Sequence, residues 1–404
     1  DARGGNVTIL GERVGLFENA RVNVSGATGG GQALVGGNYM GQGPEPNAKM
    51  VYMDARAVID ASSSAGDGGR VILWSDEVTR NAGHIDVSGA NNGGFIEVSS
   101  KAHLDFRGTV NLRGLAGRAG ELLLDPDNIT IGSGTSSNIS GGPSFGVVTA
   151  GTSSFLDVSV LNGALTGGAT VTVTTASASG NAGDISITDT IVPAAANSTL
   201  ILRADGTITF SGTGGINAGA YLLNVELRAG GNITVGGTVG IATSHGSFTT
   251  TGLTGTGNAG GDFTLNQALN TGSGATTFNQ AGAIVLNNNI TTSGVLTLNA
   301  VGAVTQSTAF TSSGTLVVAG TGAVTLNASN DFGNITLNRT GTSTNVSLTT
   351  LNTPNIAAAS NLGVGNFSLT GDGFTQSAGA TLSQDPGGGR VTIAGSATAT
   401  VTLS

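Results

Sequence analysis

A pair of glycines followed by alternating apolar residues recurs down the first third of this chain, and that recurrence restricts the possible folds most. Gly4-Gly5 precedes Val7 and Ile9, Gly30-Gly31 precedes Ala33 and Val35, Gly68-Gly69 precedes Val71 and Leu73, and Gly93-Gly94 precedes Ile96 and Val98. Ala119-Gly120 then precedes Leu122 and Leu124. The steps are 26, 38, 25 and 26 residues, so the longest interval carries an insertion between Gly37 and Arg56. Within each interval lies further short alternation, at Val22 and Val24, Ile59, Ile85 and Val87, Leu104 and Phe106, and Val110 and Leu112.

Further on the period tightens. Ala281-Gly282-Ala283-Ile284, Val301-Gly302-Ala303-Val304 and Thr321-Gly322-Ala323-Val324 are each 20 residues apart, and Gly274, Gly294, Gly314 and Gly333 keep a sister register. Strands of four to six residues with period 2, separated by Gly, Asn, Ser and Thr, are half-buried strands joined by turns. No segment carries the stripe and caps of a helix longer than two turns. Two or three short strands per 20 to 26 residues is the pattern of a parallel β-solenoid, in which each coil pairs with the next. A sandwich or propeller fits less well, because those folds need antiparallel partners and longer strands. Coils about 4.8 Å apart give roughly 16 to 20 coils and a rod of about 80 to 95 Å. Stacking aligns equivalent positions, so neutral amides serve better than charges. Asn279, Asn299 and Asn338 fall at equivalent places, with Ala319 as the exception, and can form a partial ladder along the axis.

Composition agrees with a narrow core. The 404 residues include 69 Gly, only 10% charged and 4% aromatic residues, and no cysteine, which excludes disulfides, thiolate metal sites and cysteine nucleophiles. Glycine does not fall at every third position, so the chain is not collagen. No apolar run is long enough to span a bilayer as a helix. The net charge is -9, and the 15 Lys and Arg form no basic stripe, which argues against nucleic acid as a partner. Of the 39 charged residues, 26 lie in residues 1 to 130 and 13 in the remaining 274. The expected organisation is therefore charged coils over 1–131 with an insertion near 37–56, a Gly/Ser-rich junction over 132–154, and Thr/Asn/Gly-rich repeats over 155–404.

Catalytic constellations are sparse. Glycan-cleaving β-helices need clustered carboxylates with a basic neighbour. The acidic pairs Asp76 with Glu77 and Asp125 with Asp127 have none at strand spacing, and read as turn residues. His84, His103 and His245 are isolated, without metal-ligand spacing. Trp74, the one tryptophan, reads as a packing residue rather than a sugar platform. The Gly-rich loops precede strands rather than helices, so they do not cradle phosphate. No catalytic, metal or cofactor residue is assigned.

Three ordered motifs carry a family resemblance: Gly68-Gly69-Arg70-Val71-Ile72-Leu73-Trp74-Ser75-Asp76, Gly93-Gly94-Phe95-Ile96-Glu97-Val98-Ser99-Ser100-Lys101, and Gly120-Glu121-Leu122-Leu123-Leu124-Asp125-Pro126-Asp127-Asn128-Ile129-Thr130-Ile131. They resemble the filamentous haemagglutinin-like exoproteins of two-partner secretion in Gram-negative bacteria. The stretch Gly41-Gln42-Gly43-Pro44-Glu45-Pro46-Asn47-Ala48, followed by Ile59-Asp60-Ala61-Ser62, is similar to an insertion in many of them. The likeness weakens through residue 208 and fades beyond about residue 240. It implies an all-β, right-handed parallel β-helix, exported through an outer-membrane partner transporter and then displayed or released outside the cell. The family's amino-terminal secretion domain is not recognised in these residues, which read as the ordered middle of a longer protein.

The expected function is a secreted or surface-displayed adhesin rod, without catalysis, that contacts host, bacterial or abiotic surfaces, glycans among them. The alternative is a subunit of an extracellular filament, a homopolymer assembled end to end through solenoid termini. A polysaccharide-directed β-helix enzyme is the third reading.

Overall fold

The computed structural model describes residues 2–125, 128–134, 139–140, 146–147, 154–175, 182–195 and 197–402. Among these the chain is almost entirely β, with one α-helix, Val158–Ala164, and one 3-10 turn, Tyr39–Gly41. It divides into two compact units, residues 1–207 with 220–224, and residues 208–219 with 225–404. Each is a parallel β-helix, as the periods predict.

In the first unit a coil turns three corners. One ladder runs through Asn6–Ile9, Gln32–Val35, Arg70–Asn81, Phe95–Ser100, Glu121–Asp125, Thr170–Thr175 and Ser198–Ala204. Its inward row Ala33, Val71, Ile96, Leu122, Val171 and Leu200 is fully buried, and Val35, Leu73, Val98, Leu124, Val173 and Leu202 form a second buried row. Period-2 alternation thus becomes a column, each Val or Leu contributing about 1.5–3 kcal/mol of burial. The expected Gly-Gly positions are corners. A Cβ on Gly69 would sit 2.1 Å from the Gly31 carbonyl oxygen, so no larger residue fits.

A second ladder joins Arg13–Leu16, Ala48–Met53, the end of Arg70–Asn81 and His103–Phe106. The expected insertion near 37–56 therefore includes a regular strand, Ala48–Met53, and the extra chain is residues 37–47. A third ladder holds Arg21–Asn23, Val58–Asp60, His84–Asp86 and Thr109–Asn111.

Among the described residues of this unit, sequence order breaks at one strand. Ser154–Asp157 lies between His103–Phe106 and Ile129–Gly132, which then pairs with Ile185–Ile187. The helix Val158–Ala164 follows at once, capped by Asp157, whose Oδ1 accepts the Ser159 N–H at 2.8 Å. It packs against Thr109–Asn111, the last strand of the third ladder. Of the Gly/Ser-rich junction at 132–154, only 132–134, 139–140, 146–147 and 154 are described, and Ile139–Ser140 pairs antiparallel with Gly146–Val147.

In the second unit one ladder passes through Ile208, Ile233, Phe263, Ile284, Val304, Val324, Val346, Phe367 and Val391. The 20-residue repeat is an exact stack, with Ile284 on Val304 on Val324. Coils continue through residues 355–388, where the sequence period is poorest: Ser360–Leu362 pairs with the end of Val324–Arg339 and with Leu382–Ser383. Phenylalanines thicken this core, with the Phe263 and Phe278 rings 4.6 Å apart.

Candidate binding trough and covered carboxylate

The Gly-Gly corners of the first unit line up, and with no side chains there the surface sinks into a trough of 1290 Å3. One wall is the register row Asn6, Gln32, Arg70, Phe95 and Glu121. The other carries Arg3, Asn92 and Arg118. That wall is tied coil to coil: Asn92 Nδ2 donates to Asp67 Oδ1 at 2.9 Å, and the Arg118 N–H donates to Asn92 Oδ1 at 2.9 Å. Arg3, Arg70 and Arg118 occupy alternate coils, so successive cations are stepped by roughly 10 Å along the axis. Three arginines outnumber the two carboxylates here, Glu121 in the lining and Asp67 bonded to Asn92, and leave a net positive strip on a chain of net charge -9. Arg70 is held by two rings, its guanidinium carbon 4.9 Å from the Tyr39 centroid and 4.8 Å from that of Phe95.

Tyr39 belongs to the insertion, which lies over the outward side of the same ladder. Here the outward row is Leu34, Ile72, Glu97 and Leu123, all buried. Trp74 is buried too, packed with Leu34 and Ile72, and a Cβ on Gly41 would lie 2.5 Å from its Cε2. The loop is stapled from inside. Asn38 Oδ1 accepts the Tyr39 N–H at 2.7 Å, Asn38 Nδ2 donates to Glu45 Oε2 at 2.7 Å, and Asn47 Nδ2 donates to the Gly41 carbonyl at 3.1 Å. Met40 adopts a left-handed conformation, φ 52°, that a non-glycine residue pays for in strain. In that conformation its N–H points at Glu97, 3.0 Å from Oε1 and 3.2 Å from Oε2.

Glu97 has no exposed surface. Burial pushes its carboxyl up to about 7, against the pull of the Met40 N–H and the Ser99 hydroxyl; Asp125 raises it further and Arg70 lowers it. Burial also raises the Tyr39 phenol, helped by the negative Glu97 and Glu121.

The residues weighed from the sequence are dispersed. Asp76 accepts from Asn47 Nδ2 at 3.3 Å, at the foot of the insertion, and Glu77 is exposed beside it. Asp125 is buried in register with Ser99, one coil from Glu97, and Asp127 lies outside the described residues. His84 Nδ1 bonds Thr109 Oγ1 at 2.7 Å on the third ladder, His103 opens a strand of the second, and His245 Nδ1 bonds Ser273 Oγ at 3.0 Å in the other unit. Among the described residues no group of three or more His, Asp or Glu side chains converges as a metal site would require.

In the second unit the expected amide ladder is present. Asn279, Asn299, Ala319 and Asn338 share one register row, and Asn299 Nδ2 donates to Asn279 Oδ1 at 3.0 Å. A parallel outward row reads Thr264, Val285, Thr305, Thr325, Ser347, Ser368 and Thr392, one residue per coil.

Glu97 was the residue sequence reasoning missed. The signal lay in the run Ile72-Leu73-Trp74, where apolar residues occupy both faces of the strand and so ask for a cover. Residues 273–338, the coils of 20-residue period, match the family described as repeats of unknown function (DUF5649), and no curated protein matches the chain.

Proposed function

We propose that this chain is the solenoid part of a secreted or surface-displayed adhesin, and that its first unit binds an extended acidic polysaccharide in the glycine-floored trough. The observation that carries this reading is the placement of Arg3, Arg70 and Arg118 on alternate coils of one open trough, among the amides of Asn6, Gln32 and Asn92. Carboxylates on alternate sugars of an extended chain meet such cations in turn, and neutral hydroxyls meet the amides between them. Contacts that repeat along a stack add by multivalency, although each is individually near 1 kcal/mol. The hydroxyl and amide rows of the second unit supply a second, uncharged contact surface.

Localisation outside a Gram-negative cell and export through a two-partner transporter belong to the same proposal, and rest on the resemblance of residues 68–131. A non-catalytic role is part of the same proposal, and the placement of the acidic residues supports it: Asp76 accepts from Asn47 at the foot of the insertion and Asp125 is buried in register with Ser99. Binding of fluorescent polygalacturonate, with neutral dextran as control, tests the reading. Arg70→Gln with Arg118→Gln should weaken polygalacturonate binding at least tenfold and leave the fold intact. Equal affinity for the two polymers, or no loss in the double variant, rejects it.

A further inference from the structure

The insertion touches the trough at one point, the Tyr39 ring against Arg70, and touches the buried carboxylate at another, the Met40 N–H against Glu97. Both contacts come from adjacent residues of one strained turn, so a movement of that turn disturbs both. We propose that residues 37–47 form a lid held shut by Glu97, that ionisation of Glu97 opens it, and that opening frees Arg70 from Tyr39 and so weakens the trough's hold on an acidic chain. This deepens the binding reading above, since it concerns regulation of the same site.

The physical case begins with the geometry. Glu97 occupies an outward position of its strand, where alternation would place it in water, yet it is buried with the lid's Met40 N–H against its carboxyl. A lid over Ile72 and Leu123 alone would need no polar contact. Over a carboxyl it must supply a donor, and the left-handed Met40 supplies one. The groups facing Glu97 are Arg70 from the preceding coil, Asp125 from the following coil, Ser99 on its own strand and Tyr39 on the lid, with Glu121 beyond Tyr39. One cation against two further carboxylates does not compensate a buried negative charge, so the closed lid favours the protonated carboxyl.

The sign follows from linkage. An open lid returns Glu97 to water and to its ordinary value of 4.5, whereas the closed lid holds it at about 7. Below 4.5 both states carry the proton and closure is at its strongest. Between the two values the closed state keeps a proton that the open state has lost, so each rise in pH favours opening, and above about 7 the shift is complete. A difference of that size changes the closing equilibrium about three-hundredfold. The groups that act on Glu97 include no histidine: His84 lies on the third ladder, His103 on the second and His245 in the other unit.

Trp74, the chain's one tryptophan, reports the lid directly because Gly41 lies on its indole. In the wild-type chain, acrylamide quenching of Trp74 should rise between pH 5 and 8.5 with a midpoint near neutrality. Glu97→Gln, which keeps the acceptor and cannot ionise, should hold quenching low throughout. Gly41→Ala places a Cβ against the indole at a position of φ +64°, and should give high quenching at every pH with Glu97 intact. Labelled polygalacturonate, ionised across this range, should bind about tenfold more tightly at pH 5.5 than at 8.5 to wild type, and equally at both to Glu97→Gln. Flat wild-type quenching overturns the lid, as does a pH response that survives in Glu97→Gln. If quenching titrates as expected but polygalacturonate binds at neither pH, the trough reading has failed and the lid remains; if it binds equally at both pH values with flat quenching, the lid has failed and the trough remains.

Discussion

The two units stack parallel coils in the same way, yet they place charge differently. In the first, Asp60 and Asp86 sit on adjacent coils of one ladder, where like charges should repel. One oxygen of each carboxylate is bonded within its own coil: Asp60 Oδ1 accepts from the Ser62 N–H at 2.9 Å and hydroxyl at 2.6 Å, and Asp86 Oδ1 from those of Ser88 at 2.7 and 2.6 Å. Asn23 and Asn111 flank them, and Asn111 Nδ2 donates to Asp86 Oδ2 at 2.9 Å. In the second unit amides and hydroxyls bond between coils instead, as Asn287 does to Asn266 at 2.9 Å and Ser307 to Asn287 at 3.3 Å. Stacked carboxylates are thus tolerated where each has donors from its own coil, and the neutral rows gain by bonding from coil to coil. That leaves the first unit free to display arginines over its corners.

The comparison breaks most sharply in the interior. Gly69→Val puts a branched side chain where a single Cβ already collides with the Gly31 carbonyl, and should destabilise the first unit by several kcal/mol or prevent its folding. The second unit is most vulnerable at Arg339, which is fully buried with its guanidinium donating to the carbonyls of Ala319 at 3.0 Å, Gly322 at 2.6 Å and Thr344 at 3.1 Å. Arg339→Ala should cost about 3 kcal/mol, from a cavity and three stranded acceptors. Thermal unfolding followed by hydrogen exchange on each unit should show each variant softening its own unit. A variant that softens both equally would mean that the units unfold as one.

These cases also show what the sequence makes legible. Period and alternation are local, so the inward rows, the 20-residue stack and the Asn279 to Asn338 row can be read from spacing. The role of Gly69 follows from its recurrence. The cover over Glu97 cannot be read the same way, because the residues that bury it lie more than fifty positions earlier and turn an outward, nominally solvated carboxylate into an enclosed one. The out-of-order strand Ser154–Asp157 is hidden for a related reason: its short alternation fits any vacant place in a ladder, and only pairing on both edges selects one.

Salt should separate the contact surfaces. Polygalacturonate binding to the trough should fall at least tenfold between 50 and 500 mM salt, because paired charges at an open surface are screened. Attachment through the hydroxyl and amide rows, measured on the Arg70→Gln, Arg118→Gln variant, should change less than about twofold over the same range. A steep salt loss in that variant would place charge-mediated contact elsewhere and undo the contrast between the units.

A smaller effect tests the shared ladder of the second unit. Asn299→Leu removes the bond to Asn279 at 3.0 Å and should cost about 1 kcal/mol, lowering the melting temperature by a few degrees. Asp86→Asn in the first unit should cost less than that, since it relieves the stacked charge and keeps an acceptor for Ser88, while giving up the bond from Asn111 Nδ2. If Asp86→Asn proves the more damaging of the two, the account of how each unit satisfies its polar rows is wrong.

The smallest expected change is at the acidic residues that a glycan-cleaving β-helix would need. Asp76 accepts from Asn47 Nδ2 at the foot of the lid, and Asp125 is buried beside Ser99. Neither has the open, paired arrangement in which one carboxyl protonates a leaving oxygen while another attacks or activates water. Asp76→Asn keeps an acceptor for Asn47 and should leave stability, polygalacturonate binding and the Trp74 quenching profile unchanged within error. Asp125→Asn removes a negative neighbour of Glu97 and should move the lid's midpoint slightly to lower pH, because Asp125 is one of the groups that raises the Glu97 carboxyl. Reducing-end release from polygalacturonate, followed over long incubation, should be absent in the wild type and in both variants. Release by wild type that disappears in a folded Asp76→Asn or Asp125→Asn chain would reverse the reading, turning the trough from a surface that holds a glycan into one that cuts it.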